Sequence, residues 1–408
     1  MKCRFCHTPL VHVFADLGLQ PPSNSFIKKE NLKKHEDVYP LKIWTCDKCF
    51  LTQIDEFKSH AEIFSKDYAY FSSYSSSWVA HAKTYAEKMA GRFKLGPQSM
   101  VIEVASNDGY LLQHFKGMNI PCLGIEPTAS TAAAARLIGI DTREMFFGTE
   151  TAAKLVAEGI SADLTAANNV LAHVPDINDF MAGFRIILKP EGIATFEFPH
   201  LMQLVAHHQF DTIYHEHFSY LSLMTVEKIF EQAGLRVFDV EEIPTHGGSL
   251  RLYVCKDGAG HARSPHVDAL IAREKAAGMD GLAYYSGFQS QVDKIRHDLK
   301  AFLKQAKAEG KKVCGYGAAA KGNTLLNSCH IKADMIAAVA DLSPHKQGLY
   351  MPGSHIPVVS PAEMLAQKPD YIIIFPWNLR HEIVRQLTPD IGPDTQFVVA
   401  IPALEVFR

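Results

Sequence analysis

Apolar and polar segments along the central part of the chain predict strands and helices in turn. Four apolar runs end in polar turns: "SMVIEVASNDG", "IPCLGIEPT", "ADLTAANNV" and "GIATFEFPH". The segments between them are amphipathic or rich in alanine, as in "INDFMAGFRIILKPEG". Continuous apolar runs are typical of strands buried on both faces, whereas apolar residues three or four positions apart predict helices. This block therefore predicts a doubly wound parallel sheet.

The pattern changes near the end of this block. The stretch "LRVFDVEEIPTHGGSLRLYVCK" predicts two strands joined by a Gly-Gly turn. An antiparallel hairpin that closes an otherwise parallel sheet is a feature of methyltransferase-type Rossmann folds, and dehydrogenases usually lack it. The hairpin therefore favours a methyltransferase-type fold for the central block.

Two Cys-x-x-Cys pairs dominate the first block of the chain. Each pair can present two thiolates from a tight turn, and two such turns complete a tetrahedron around zinc. The 39 residues between the pairs, positions 7 to 45, leave room for a β-hairpin. Four thiolates fill the coordination sphere, so we expect a structural zinc; a pair of redox dithiols is the weaker alternative. The predicted ligands are Cys3, Cys6, Cys46 and Cys49.

A helical connector leads to a third block with a similar but smaller pattern. "KKVCGYGAAAKGNTLLN" predicts a strand, a glycine-rich turn and a helix; a second strand ends at Asp341, and "PDYIIIFPW" is a third. This pattern predicts a second Rossmann-like unit. We therefore predict an α/β protein with three domains: zinc-binding at 1–66, methyltransferase with a class I Rossmann-like sheet at 67–285, and a smaller Rossmann-like domain at 286–408.

Composition and charge exclude several classes of partner. With 47% hydrophobic and 21% charged residues, the 408-residue chain has the composition of a soluble globular protein. Its net charge of −3 gives no general attraction to nucleic acid or anionic membranes. No run approaches the ~18 apolar residues of a membrane span, and the N-terminus lacks a secretory signal. We expect a cytoplasmic protein without membrane or nucleic-acid partners; no sequence feature indicates an oligomeric state.

The turn after the first central strand favours S-adenosylmethionine over NAD. Dinucleotide sites need several glycines so that backbone amides can approach a pyrophosphate, but this turn has one glycine and an acidic side chain. A carboxylate there tolerates a sulfonium cofactor, whose amino-acid tail carries an ammonium group. Glu126 ends the second strand and could accept hydrogen bonds from a ribose diol. The candidate residues of the turn are Glu103, Ala105, Asn107, Asp108 and Gly109.

Further polar groups follow other strands at the same predicted edge of the sheet. Asn168, Asn169 and His173 follow the fourth strand, and "EFPH" ends the fifth. "FDTIYHEHFSYL" lies in the next connection and can fold over the cofactor. Its four consecutive polar groups, at positions 214–217, favour proton-transfer chemistry over a solvated turn.

These motifs resemble those of the nucleotide-sugar C-methyltransferases, which methylate a carbon of dTDP-linked keto-deoxysugars. The resemblance rests on the cysteine pairs and on "EVASNDGYLL", "GIEPT", "NNVLAHVPD", "EFPH", "FDTIYHEHFSYLS", "HGGSLR" and "GYGAAAKGNT". It implies that the methyl group goes to the carbon next to the ketone, C3, through an enolate. One departure is Ala105, where methyltransferase loops commonly carry glycine.

The resemblance also implies roles for individual residues. His217 is the expected base, Tyr214 supports proton transfer or polarises the ketone, and Glu216 orients its neighbours. His173 and Tyr68 match other active-site positions of the family and are expected to contact the sugar. From the residues alone, His215 is an equally strong chemical candidate for the base, because it shares a face with His217 if the segment is extended.

Two other functions remain open at this point. The glycine turn around Gly315 and Gly317, with Asp341, carries the minimum of an NAD site, so an NAD-dependent nucleotide-sugar oxidoreductase is one alternative. The other is a zinc-ribbon nucleic-acid-binding protein with a degenerate methyltransferase core. We favour a third block that closes over the diphosphate of the nucleotide sugar, with Lys321 meeting an anion and Arg251 as a further contact.

Overall fold

The computed structural model describes residues 1–57 and 71–408. Tyr68 lies outside the described residues, and its predicted sugar contact stays a prediction. The described residues form three β-sheets, of which the first takes its last strand from the central part of the chain. Among the described residues, no helix combines the length and the apolar character that crossing a bilayer requires.

The first sheet is antiparallel, has four described strands in the order β1-β2-β3-β9, and carries the cysteine pairs at its end. The first two strands form the hairpin that was predicted between the cysteine pairs. The last strand comes from the central block and pairs with β3 directly after His217. The strands are β1 (His12–Gln20), β2 (Tyr39–Thr45), β3 (Thr52–Ile54) and β9 (Ser219–Tyr220).

The central sheet has the described strand order β10-β11-β8-β7-β4-β5-β6. The prediction of a parallel sheet with an antiparallel strand pair at one end is confirmed. The last strand, β11, lies antiparallel between β8 and β10. Its strands are β4 (Val101–Val104), β5 (Cys122–Ile125), β6 (Thr142–Arg143), β7 (Ala162–Asn168), β8 (Leu188–Pro199), β10 (Leu235–Ile243) and β11 (Ser249–Lys256).

The chain leaves β4 toward β5 on one side and returns to β7 on the other, which places a topological switch point at their carboxyl ends. The helices pack on the sheet through apolar faces. The helix Ile177–Ile187, for example, starts where Asp176 caps the amides of Asn178 and Asp179, and it buries residues at helical spacing. The helices of this region are α1 (Ser76–Arg92), α2 (Leu112–Gly117), α3 (Ala129–Leu137), α4 (Thr149–Ala157), α5 (Ile177–Ile187), α6 (Leu201–Ala206) and α7 (Leu223–Gln232).

A helical connector joins the central sheet to the third one, as predicted. The long helix in it buries one face at helical spacing from Phe288 to Ala306. Phe288 stacks on Phe14 of β1, with ring centroids 4.4 Å apart, so the connector also packs on the first sheet. The connector helices are α8 (Pro265–Ala276), α9 (Ala283–Ser286) and α10 (Phe288–Ala308).

The third sheet has the described strand order β14-β13-β12-β15-β16-β17 and is parallel except for β17. Gly317 in its first turn has φ +87°, and a side chain there would collide with Pro376, so this turn requires glycine. The elements are β12 (Val313–Tyr316), α11 (Ala320–Ser328), β13 (Val339–Ala340), β14 (Val358–Val359), α12 (Pro361–Ala366), β15 (Tyr371–Ile374), α13 (Arg380–Leu387), β16 (Gln396–Val399) and β17 (Glu405–Phe407).

Candidate active site

The segment that carries the predicted proton-transfer groups folds into a short 3-10 helix, Phe210–Thr212, and then a tight turn. In this turn the amide of His217 donates to the carbonyl of Tyr214 at 2.9 Å. Because the segment is a turn and not an extended strand, His215 and His217 do not share a face. The two histidines therefore have different surroundings.

The imidazole of His217 is held in one tautomer by its two hydrogen bonds. Its Nδ1 lies 3.0 Å from the carbonyl oxygen of Thr212, and its Nε2 lies 2.8 Å from the hydroxyl of Tyr214. A carbonyl oxygen only accepts, so Nδ1 carries the proton and donates it to Thr212. The lone pair of His217 is therefore on Nε2, where it accepts from Tyr214.

Two further histidines surround this imidazole. The ring of His173 meets that of His217 edge to face, with centroids 4.6 Å apart. Burial lowers the pKa of His173 to about 4, and burial followed by the charge of Lys321 lowers the pKa of His246 to about 4. Burial, His173, His246 and Lys321 hold the pKa of His217 well below its usual value. His217 is therefore a neutral imidazole at neutral pH.

His215 and Glu216 face the first sheet instead. The ring of His215 packs edge-on against Tyr39, with centroids 6.0 Å apart, and its Nε2 lies 3.3 Å from the carbonyl of Pro40. Glu216 accepts a hydrogen bond from Asn24 at 2.7 Å, and burial raises its pKa to about 7. The tautomer of His217 follows from a backbone carbonyl, and the expected role of Glu216 in orienting its neighbours stays a prediction.

The loop after β4 takes up the left-handed backbone that a tight ligand-binding turn needs. Ala105, Asn107 and Gly109 have φ of 57°, 50° and 80°. Glu126 holds the loop: one carboxylate oxygen accepts from the amide of Asn107 at 2.8 Å, and the other accepts from that of Thr128 at 2.9 Å. Each carboxylate oxygen can accept further hydrogen bonds, as the predicted ribose contact requires.

Several buried polar atoms at this edge of the sheet have no hydrogen-bond partner among the described residues. They are Glu103 Oε2, Asp108 Oδ1, Asn168 Oδ1 and both side-chain polar atoms of Asn169. Buried polar groups are normally paired, so these atoms fit a ligand that supplies donors and acceptors. Burial and the charges of Asp108 and Glu126 raise the pKa of Glu103 well above its usual value. A cationic ligand tail would offset that repulsion, as expected for S-adenosylmethionine.

Replacement of Ala105 by glycine is expected to stabilise the protein by up to about 1 kcal/mol, because the left-handed conformation is unfavourable for residues with a Cβ. Unfolding by denaturant measures the change. The matched control is Ala133→Gly at an exposed position in α3, which should lower the free energy of unfolding by about 1 kcal/mol. If both variants lost the same free energy of unfolding, the backbone at position 105 would not be strained.

The four N-terminal cysteines form one cluster whose sulfur atoms all lie within 4.8 Å of one another. Three of the Sγ–Sγ distances are 3.5 Å or 3.6 Å. A tetrahedral zinc–thiolate centre needs separations of about 3.8 Å, so the set fits the ion. The two turns are alike: His7 and Phe50, each directly after a pair, have φ of 61° and 64°.

A buried ionic network around Arg251 lies beside the site. Arg251, 5% exposed, donates to Glu197 at 2.6 Å and to Glu241 at 3.2 Å. His81 Nε2 lies 2.9 Å from the other oxygen of Glu197, and Trp78 stacks on the ring of His81. Burial alone would raise the pKa of Glu197, but His81 and Arg251 hold it below its usual value. The guanidinium of Arg251 is thus engaged by carboxylates, and its suggested contact with phosphate or sugar stays a prediction.

Sequence reasoning missed several residues that build the site. Asp211 accepts from the indole of Trp377 at 2.7 Å, and Asn24 holds Glu216. His246 was noted only as part of a turn, but it lies close enough to His217 to lower its pKa. The one available signal was proximity in sequence, since Asp211 lies in the quoted segment three residues before Tyr214. No local pattern singled out Trp377 or Asn24 as site residues.

A cavity of about 820 Å³ lies at the opposite edge of the central sheet, near the start of β7 and β8. Arg92, Asp163 and Lys189 are among its lining residues, and none of the described predicted site residues lines it. Because ligands of open α/β sheets bind at the carboxyl ends of the strands, this cavity is not the candidate active site.

Comparisons with known proteins agree with this geometry. Family models match residues 3–64 (zinc binding domain), 80–240 (methyltransferase domain) and 244–402 (C-methyltransferase C-terminal domain). The C-methyltransferase NovU of Streptomyces niveus is 31% identical over 402 residues, which cover 98% of this chain and 95% of that protein. The chain belongs to the C-methyltransferase family.

Two more distant matches are also to methyltransferases. A ubiquinone biosynthesis O-methyltransferase of Rhodopseudomonas palustris strain BisA53 is 25% identical over 109 residues, covering 25% of this chain and 43% of that protein. The crystal structure of the glycopeptide N-methyltransferase MtfA covers 43% of this chain and 96% of its own at 12% identity, with a TM-score of 0.35. The family assignment rests on the full-length relative.

Family membership confirms the coarse predictions. The protein is an S-adenosylmethionine-dependent C-methyltransferase with an N-terminal zinc-binding domain, a central methyltransferase domain and a C-terminal domain of this family. The alternatives gain no support: the relatives named above are neither nicotinamide-dependent oxidoreductases nor nucleic-acid-binding proteins. Asp341, which an NAD site would use, accepts from the amide of Ser343 at 2.8 Å and lies 3.6 Å from Lys346.

Proposed function

We propose that this C-methyltransferase methylates the carbon next to the ketone, C3, of a dTDP-linked 4-keto-deoxysugar in deoxysugar biosynthesis. The observation that carries the proposal is the tautomer of His217. A neutral imidazole with its lone pair on Nε2, held among other neutral imidazoles, is the group that removal of a proton from carbon requires.

In the proposed reaction, Nε2 of His217 takes the proton from the α-carbon. The electron pair of the broken C–H bond forms a C=C bond, and the carbonyl π-electrons move to oxygen. When substrate binds, Tyr214 releases Nε2 so that the lone pair can meet the C–H bond, and its hydroxyl then supports the transfer or polarises the ketone. The ring of His173 lies edge to face with that of His217 throughout. S-adenosylmethionine, when bound, supplies the electrophilic methyl group.

The other site residues position this machinery. Glu216 anchors the catalytic turn to the loop between β1 and β2 through Asn24. Glu103, Asp108, Asn168 and Asn169 offer their unpaired polar atoms to the methyl donor, and Glu126 offers its remaining lone pairs to the ribose. The sugar lies between this edge and the turn, where Tyr68 is also expected to contact it.

We propose further that the C-terminal domain holds the nucleotide end of the substrate. Its glycine turn leads directly into α11, a helix of nine residues, whose first backbone amides can bind phosphate. Titration of dTDP into the full-length protein tests this part. Saturable binding of dTDP that competes with the dTDP-sugar is expected, and no competition would contradict it.

The function is tested with labelled S-adenosylmethionine and a panel of dTDP-linked sugars, followed by mass spectrometry. We expect a product heavier by one methylene group with 4-keto-deoxysugars and none with the corresponding 4-hydroxy sugars, because only a ketone acidifies the neighbouring C–H bond. Nicotinamide absorbance should not change. Methyl transfer to oxygen or nitrogen, or to the 4-hydroxy sugar, would overturn the proposal.

A further inference from the structure

Lys321 lies in the first turn of α11. Residues of its own domain hold it beside the catalytic segment, which is the stretch 210–221 that carries His217. Its ammonium donates to the side-chain carbonyl of Asn378 at 2.9 Å and lies 4.6 Å from the ring centroid of Trp377. The indole of Trp377 in turn donates to Asp211 at 2.7 Å. Asp211 belongs to the 3-10 helix that begins the catalytic segment. Lys321 is therefore fixed with respect to that segment through Trp377.

A second contact brings the same helix against the same segment. The hydroxyl of Thr324, one turn after Lys321, donates to the carbonyl of Ile213 at 2.8 Å. The preceding carbonyl, of Thr212, accepts from His217. Residues 211–213 are thus contacted by His217 from within their own segment and by Trp377 and Thr324 from the C-terminal part of the chain. Lys321 lies beside them because it packs on Trp377.

The turn of the central hairpin packs against the same residues from a third side. Gly247 has φ +87°, and a side chain there would collide with the indole of Trp377. The carbonyl of Gly247 accepts a hydrogen bond from the side-chain amide of Gln209 at 2.8 Å. His246 directly precedes Gly247 in the chain. Lys321 therefore lies close to both the catalytic segment and the turn of His246, and its charge lowers the pKa of His217 and of His246.

The ammonium of Lys321 lacks an anionic partner within ion-pair distance among the described residues. Burial lowers the pKa of Lys321, and the charge of Asp211 acts against that shift. A cation taken out of water is unfavourable unless an anion compensates it. The surroundings of the Lys321 ammonium therefore suit a ligand atom that is negatively charged or becomes so during the reaction.

Resting on the proposed function, we propose that Lys321 is a catalytic residue that hydrogen-bonds the ketone oxygen and stabilises the enolate. When His217 breaks the C–H bond, charge develops on an oxygen only two bonds from that carbon, so the stabilising cation must lie near His217. The diphosphate is attached at C1, across the sugar ring from the C4 ketone. The sequence predicted only that Lys321 meets an anion; the proposal names the ketone oxygen as the atom that it contacts.

The test follows exchange of the α-proton of a dTDP-4-keto-deoxysugar in deuterated water, with S-adenosylhomocysteine in place of the methyl donor. Lys321→Met is expected to lower the maximal exchange rate by about 10²–10³-fold, as for loss of one oxyanion donor, with little change in KM. Lys321→Arg should retain part of the rate, and alkylamines should partly rescue Lys321→Ala.

The matched control is Lys311→Met, which removes an exposed lysine of the same domain that pairs with Asp370 at 2.9 Å; its exchange rate should not change. Unaltered affinity for S-adenosylhomocysteine shows that the variants are folded. A Lys321→Met variant with normal maximal exchange overturns the role of Lys321 alone, and a raised KM would then assign it to the diphosphate. A wild-type protein that exchanges no α-proton overturns the proposed function together with this role.

Discussion

Replacement of His217 by asparagine is expected to lower both methyl transfer and α-proton exchange by about 10²–10⁴-fold, the range of general base catalysis. The asparagine amide can still donate to the carbonyl of Thr212, so the turn should keep its shape. It has no basic nitrogen, however, and the substrate α-proton is far less acidic than an imidazolium. Exchange in deuterated water separates proton removal from methyl transfer.

His215→Asn is the matched control two residues away. Because His215 packs against Tyr39 and the carbonyl of Pro40, its loss should reduce stability more than chemistry. Unfolding by denaturant and proton exchange are both measured on this variant. Full exchange in His217→Asn with lost exchange in His215→Asn would reverse the assignment of the base.

The same geometry fixes the direction of the pH dependence. Burial, His173, His246 and Lys321 all favour the neutral form of His217, so its pKa lies below the usual 6.5. The base is active when neutral, so activity should be retained from neutral pH downward and lost only below that lowered pKa. In Lys321→Met a cation is removed, and the acid limb of the pH profile should move upward.

Local sequence patterns were enough to predict the helices and strands, but they did not predict how these pack together. β4 followed from the apolar run before Asn107, and the zinc cluster followed from the cysteine spacing, because both depend on residues a few positions apart. The order of β11 between β8 and β10 depends on how distant segments pack, and no local pattern encodes it. The domain limits at 66 and 285 remain predictions.

The site was predictable only as far as its residues lie on one segment or one sheet edge. His217 and Tyr214 are three residues apart, and their hydrogen bond joins neighbours. Asn24 and Glu216 are 192 residues apart, and Trp377 and Asp211 are 166 apart. Such pairs form only because three sheets meet at the catalytic segment. Glu216 shows the same limit, since its partner, Asn24, comes from the first block of the chain.

Removal of the zinc is expected to lower the methyl-transfer rate strongly while leaving affinity for S-adenosylmethionine nearly unchanged. Structural zinc contributes about 10–16 kcal/mol to the folding of small zinc modules, so the cysteine turns should unfold without it. β3 follows the second turn directly and pairs with β9, Thr52 with Tyr220 and Gln53 with Ser219. Loss of β3 would free the strand that begins two residues after His217. The cofactor loop belongs to the central sheet and would remain.

Chelation, or Cys46→Ser, should therefore lower the methyl-transfer rate by at least about 10²-fold, since misplacement of a catalytic group by 1 Å has that effect. Metal content, amide hydrogen exchange at residues 219–220 and titration with S-adenosylhomocysteine measure the three parts of the argument. Cys122→Ser, outside the cluster, is the matched control and should keep its zinc and its activity. A zinc-free protein with normal activity would show that the catalytic segment keeps its position without the pairing of β3 and β9.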